Sequence, residues 1–336
     1  VEHTAELLTV QRESGGLDVI SVRTGEPLRW TVKARRTGRY LGMLMGGGTA
    51  APRVEGVGTY PMPAPLEPWP DGTLSSDAIR AAIEAHASAA SGRDDFSGVV
   101  RVMRGDSVFF ERAYGEAEKS FHVANNLETR FNIASIGKMF TAVAIAQLVE
   151  AGKLRFEDTL ADVLPEYSNR EAARKITIHQ LLTHSAGLGA FFDRPAYDRR
   201  KDYPTATSLL DVFAREPLLY APGTSSRYSN EGFVVLGAVI EKVSGENYYD
   251  YIRRHVYAPA GMTRTDAYAI DDAVENLAVG YGWFDDDPLG SRPRRPNWAF
   301  LGLRGTPCGG FYSTAGDMLR FEQAFRSGRL VSPAMV

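Results

Sequence analysis

Ala134-Ser135-Ile136-Gly137-Lys138-Met139-Phe140 sets a serine three residues ahead of a lysine. The run that follows, through Ala142, Val143, Ala144, Ile145, Ala146, Leu148 and Val149, is apolar on nearly every face. A helix with no polar face is a buried helix. The pattern therefore predicts one over residues 136–149, stopped near Ala151-Gly152, where glycine takes a left-handed cap. Ser135 then falls in the first turn, and Lys138 at i+3 shares its face. A serine hydroxyl is a weak nucleophile until a base removes its proton. A lysine kept from water is disfavoured in its charged form and can serve as that base. The helix N-terminus also favours negative charge on the serine oxygen. Ser-x-x-Lys is common by chance, so the reading needs partners from elsewhere in the chain.

Tyr228-Ser229-Asn230 is the candidate partner. It lies on a loop ahead of a helix expected over 231–243, and loops on rigid scaffolds often carry function. In an extended backbone, residues two apart point the same way. A phenol near an ammonium is stabilised as phenolate and can share the base role with Lys138. The Asn230 amide can donate to a substrate carbonyl and accept from an amide. Its plainer role would be to cap the next helix. His184-Ser185 looks like a base beside a nucleophile, but chain neighbours rarely face each other. His184 is read instead as a structural histidine binding backbone groups at a helix end.

Composition narrows the classes. The chain has 336 residues, a net charge of −3 and an ordinary apolar fraction of 44%. Nothing in that balance argues for nucleic-acid binding, and no apolar run is long enough to span a membrane. Cys308 is the single cysteine, so it makes no internal disulfide; it reads as a small residue packed beside glycines. The six histidines fall in no ligand spacing. No metal site and no cofactor are expected.

Three segments follow from the punctuation. Residues 1–60 read as a small α+β domain: a helix over 2–13, then alternating runs at 17–22, 28–34, 40–45 and 53–60 separated by turn residues, the pattern of an antiparallel meander. Residues 61–75 are a proline-rich linker, semi-rigid and extended. Residues 76–336 form the main domain. In it, Ser75-Ser76-Asp77 caps a helix to about residue 91. A hairpin turns at Gly105-Asp106 between strands at 96–104 and 107–114. Further helices are expected at 160–164, 176–182, 209–215, 249–256 and 315–325, and a surface loop at 284–296.

Ser135-x-x-Lys138 and Tyr228-x-Asn230 together resemble the two leading boxes of class C β-lactamases and the related D-Ala-D-Ala carboxypeptidases, D-aminopeptidases and family VIII esterases. The stretches 112–115, 130–135, 181–188, 221–223 and 309–314 match lesser landmarks of the same family in the same order. The first sixty residues resemble, more loosely, the sheet half of a cystatin-like or NTF2-like cone. The main resemblance implies an α+β, β-lactamase/transpeptidase-like fold: an antiparallel sheet flanked by helices, with a helical second lobe. It implies that Ser135 attacks a carbonyl and forms an acyl-enzyme, that Lys138 and Tyr228 manage its proton, and that Asn230 orients the substrate. The Ser135 backbone N–H would be one oxyanion donor.

The third box of that family, Lys-Thr-Gly or His-x-Gly, is absent after residue 138. Arg23-Thr24-Gly25 and Arg36-Thr37-Gly38 look similar but precede the linker and read as hairpin turns. The chain is accordingly expected to be a fragment with little activity of its own. Two functions compete. One is a serine hydrolase acting on esters or D-amino-acid peptides, working in the periplasm or outside the cell on a small-molecule or peptide substrate. The other is a non-catalytic domain that binds or senses penicillin-like or cell-wall peptides. The oligomeric state is left open.

Overall fold

The computed structural model describes residues 39–46, 53–61, 74–192, 194–282 and 294–335. The helix expected at 2–13, the strands at 17–22 and 28–34, residues 62–73 of the linker and most of the loop at 284–296 lie outside the described residues. The last two N-terminal strands form as expected. β1 (Arg39–Gly46) pairs antiparallel with β2 (Arg53–Pro61), with a bulge between Leu44 and Met45. α1 runs over Ser76–Gly92. Its start is capped by Ser75, whose carbonyl accepts from Ile79 N–H and whose Oγ accepts from Ala78 N–H at 3.2 Å.

The hairpin is β3 (Gly98–Arg104) with β4 (Ser107–Tyr114), turned at Gly105, which has φ +57°. β5 (Glu116–Glu118) and β6 (Val123–Ala124) make a second, smaller ladder. β7 (Phe131–Asn132) then leads into a 3₁₀ turn, Ala134–Gly137, and the turn into α2 (Lys138–Glu150). Short helices follow: α3 (Leu160–Val163), α4 (Arg170–Ala173) and α5 (Ile178–Leu182). Thr159 and Thr177 open α3 and α5 with reciprocal capping boxes. α6 spans Asn230–Ser244 and ends on Gly245 at φ +75°. α7 is Tyr248–Ile252, α8 is Ala258–Ala260, β8 (Tyr281–Gly282) pairs with β9 (Arg295–Pro296), and β10 (Tyr312–Ser313) precedes α9 (Ala315–Arg326). Helices with small antiparallel ladders make this the α+β class that the sequence implied.

The core is helical. In α2, Phe140, Ala144 and Ile145 have no exposed surface; in α6 the same holds for Val234, Val235, Leu236, Ala238, Val239 and Ile240. The two helices pack on each other, with α5 and α7 against α6. The Phe140 ring meets Tyr257, Phe311 and Phe321 edge-on at centroid distances of 5.1, 5.7 and 5.0 Å. That cluster ties α2 to Phe311, the residue just ahead of β10, whose ring leaves no room for a Cβ at Gly137 of the 3₁₀ turn.

Three expectations need correction. α2 is not buried all round: Met139 is 42% exposed, and Ile136, on the 3₁₀ turn that leads into it, is 50% exposed. The helix expected at 209–215 is a 3₁₀ helix over Thr207–Val212, where the side chains of Leu209, Leu210 and Val212 all need burial and the tighter turn suits so short a piece. The helix expected at 249–256 begins one residue earlier as α7 and passes into a π-helical turn, Arg253–Tyr257, before α8.

Phe140→Ala should lower the unfolding free energy by about 3–5 kcal/mol, the usual range for emptying a buried aromatic site. Urea unfolding followed by tryptophan fluorescence measures it. A loss below about 1 kcal/mol would contradict the packing described.

Candidate active site

Ser135 sits on the 3₁₀ turn and not within α2, whose first residue is Lys138. The turn is held by the ladder between β7 and β10. Ile133 N–H donates to Phe311 O at 2.8 Å, and Gly310 N–H donates to Ala134 O at 3.0 Å. Asn132 spans the same junction: its Oδ1 accepts from Ala134 N–H at 2.9 Å and its Nδ2 donates to Gly310 O at 3.3 Å. Ala134 is left-handed, with φ +46°, which is uncommon for a residue with a side chain. It throws the next residue, Ser135, outward into solvent. Gly309 passes so close behind that a Cβ there would lie 2.3 Å from Ala134 O.

Lys138 is buried, 7% exposed, and its ammonium has three acceptors. Nζ donates to Ser135 Oγ at 3.2 Å, to Asn230 Oδ1 at 2.8 Å and to Cys308 O at 2.5 Å. Three N–H groups meet three acceptors, which is what a buried charge requires. The Nζ also lies 4.6 Å from the centroid of the Tyr228 ring and 5.4 Å from that of Phe233. Tyr228 Oη donates to Ser135 Oγ at 2.6 Å. Ser135, Lys138, Tyr228 and Asn230 thus meet in one cleft, with Ser135 and Tyr228 on its open side and Lys138 on its floor.

The cap of α6 is Ser229, whose Oγ accepts from Gly232 N–H at 2.9 Å. Asn230 is thereby released from capping and turns its amide to Lys138. Ser229 also anchors the segment behind it. Its N–H donates to His184 Nδ1 at 3.1 Å, and its Oγ donates to Gly189 O at 2.9 Å. The His184 ring packs 4.6 Å from the Tyr228 ring and 5.2 Å from Phe233. His184 is therefore a support for Tyr228 and not the base of Ser185. Burial, and then the Lys138 charge, push its pKa below the ordinary value.

Three contributors were not singled out from the sequence. The Cys308 carbonyl is a backbone group and leaves no signature in residue type. Ser229 was read as the filler of Tyr-x-Asn. Glu231 is 2% exposed. It accepts from Gly189 N–H at 2.8 Å and pairs with Arg194 at 3.2 Å; burial pushes its carboxyl pKa up and those contacts oppose it. A glutamate next to the Tyr-x-Asn triplet was the available clue. Cys308 itself is buried, as expected, with its thiol within 3.1 Å of Thr306 Oγ1.

Comparison with known proteins places the chain in a family. The sequence model described as Beta-lactamase matches residues 82–336, and the chain belongs to that family. It is 32% identical over 237 residues to the putative penicillin-binding protein PbpX of Bacillus subtilis (strain 168), covering 70% of this chain and 56% of that one. It is 29% identical over 259 residues to esterase EstB of Burkholderia gladioli, covering 68% and 65%. Among solved structures, the penicillin binding protein from Bacillus halodurans superposes with a TM-score of 0.65 at 33% identity, over 74% of each chain. EstCE1, described as a hydrolase with promiscuous acyltransferase activity, gives 0.64 at 27% identity over 77% and 75%. The fold is β-lactamase/transpeptidase-like, and the family is one of hydrolases whose named members include esterases and penicillin-binding proteins. The chain spans about half the length of curated relatives it matches, 56% of one and 55% of another. Among the described residues, no helix is long and apolar enough to cross a membrane.

His184 makes the cleft pH-dependent. Its neutral Nδ1 accepts from Ser229, and its folded pKa lies below the ordinary 6.5. A lowered histidine value means stability that is fully present above about pH 6.5 and lost as pH falls toward the folded value. His184→Asn, which keeps an acceptor near the Nδ1 position but does not titrate, should flatten this part of the stability–pH curve. Thermal melts of both proteins from acid to neutral pH measure it; parallel curves would refute the assignment.

Proposed function

We propose that the protein is a serine hydrolase that acts through an acyl-enzyme on esters or D-amino-acid peptides. The observation that carries this reading is the convergence of the Tyr228 phenol and the Lys138 ammonium on Ser135 Oγ, at 2.6 and 3.2 Å. In the first step Tyr228 acts as a phenolate held beside the Lys138 ammonium, its own proton having gone to solvent, and takes the proton of Ser135 Oγ as that oxygen attacks the substrate carbonyl. Lys138 has its three N–H groups engaged, so its part is to hold positive charge beside both oxygens as negative charge develops. Tyr228 then returns the proton to the leaving group. In the second step a water attacks the acyl-enzyme, and the same pair runs the proton in the opposite direction.

Asn230 keeps one amide oxygen on Lys138, leaving its N–H₂ to meet a substrate carbonyl or the acyl-side amide. The Ser135 N–H, at the start of a turn that leads into α2, is the proposed oxyanion donor. The same proposal places its work in the periplasm or outside the cell, and fractionation of the host would test that placement.

Ser135→Ala should abolish both labelling by a fluorescent fluorophosphonate and hydrolysis of p-nitrophenyl butyrate, a loss of at least about 10⁴-fold for removal of a nucleophile. Tyr228→Phe keeps the ring over Lys138 and removes the oxygen, so kcat/KM should fall by about 10²–10⁴-fold, the usual share of acid–base catalysis. Hydrolysis that survives Ser135→Ala would end the proposal. Stable labelling of Ser135 by penicillin, with no ester turned over, would return the chain to a binding role.

A further inference from the structure

Ser135 opens onto a cavity of about 430 Å³. Its wall is mainly apolar, formed by Phe192, Tyr197, Tyr268, Ile270, Phe300 and Leu301. Two arginines, Arg199 and Arg304, also line it, and no aspartate or glutamate does so among the described residues. The two arginines differ. Arg304 Nε pairs with Asp202 Oδ1 at 3.0 Å, so its charge is answered. Arg199 has no carboxylate partner among the described residues. Its guanidinium donates Nη1 to Phe300 O at 2.6 Å and Nη2 to Phe192 O at 3.2 Å. Two carbonyl dipoles fix the group in place and leave its full positive charge standing. A half-buried guanidinium with spare N–H groups in a largely apolar wall is matched by a carboxylate, through charge-assisted and often paired hydrogen bonds.

The position of Tyr228 decides which part of the substrate enters. Tyr228 does not line this cavity. In the proposed mechanism the leaving group takes its proton from Tyr228 and so departs on that side of Ser135. The cavity then receives the acyl portion.

We infer that the cavity selects acyl groups carrying a carboxylate at the end of an apolar chain, and that Arg199 reads that carboxylate. The inference rests on the proposal that Ser135 is the nucleophile. The chain as a whole is acidic, at −3, so bulk attraction would work against an anionic substrate; selection for one has to come from a local group.

The test is a pair of p-nitrophenyl esters of adipic acid, one with its far carboxylate free and one with it capped as a methyl ester. The ratio of their kcat/KM values reports the acylation step even where deacylation is slow. The expected ratio is about 10-fold in favour of the anion, as for a hydrogen bond to a charged group. Arg199→Gln should bring the ratio to about one, Arg199→Lys should recover part of it, and Arg200→Gln, an exposed neighbour with the same change in charge, should keep it. On the unaltered protein, raising salt from about 0.05 M to about 0.5 M should shrink the ratio. A ratio near one in the unaltered protein, or one that persists in Arg199→Gln or ignores salt, would overturn the inference while the Ser135 mechanism stood. No p-nitrophenol burst from either ester would overturn both.

Discussion

The site depends on a buried ammonium that has to be satisfied. Lys138 is nearly out of contact with water, and an unpaired charge there would cost several kcal/mol. Its three acceptors come from three separate parts of the chain: the 3₁₀ turn, the first residue of α6, and the backbone just ahead of β10. Each part is fixed by the packing around it. α6 is placed by its fully buried face on α2, and the segment before β10 by Phe311 against Phe140. The hydroxyl and the asparagine amide are therefore positioned by the same force that buries the helices.

The turn that bears Ser135 shows how the backbone contributes. Ala134 in the left-handed region is a small local strain, held by the hydrogen bonds of Asn132 and Gly310 on either side. The close approach of Gly309 leaves no room for a side chain. Behind Tyr228 a second layer does similar work: His184, Ser229, Gly189 and Glu231 are linked by hydrogen bonds that lock the loop before α6. A phenol that is half exposed thus keeps one orientation over the lysine.

Legibility of the sequence followed periodicity and side-chain chemistry. α1, α2, α6, α9 and the hairpin β3–β4 were readable within a few residues, since each has a clear apolar pattern and a Ser, Thr or Gly boundary. The Ser135, Lys138, Tyr228, Asn230 set was readable because each residue type carries chemistry at a recognisable spacing, and the structure brings all four together. What escaped has no such mark. The Cys308 carbonyl is backbone, and the two-residue ladder of β7 with β10 is too short for any alternation to show. The choice of Ser229 over Asn230 as the cap depends on Lys138 claiming the amide, a contact across 92 residues of chain. The exposure of Ile136 and Met139 is likewise encoded by no helical pattern, since both are large apolar residues in an apolar run.

The links into Lys138 and Ser135 span 92, 93 and 170 residues of sequence. Such distant pairings require the chain to close long loops, at an entropic cost. A partly collapsed molecule would hold the serine on its turn with no lysine or phenol beside it. The arrangement around Ser135 is thus a property of the finished tertiary structure, assembled from segments that lie far apart along the chain.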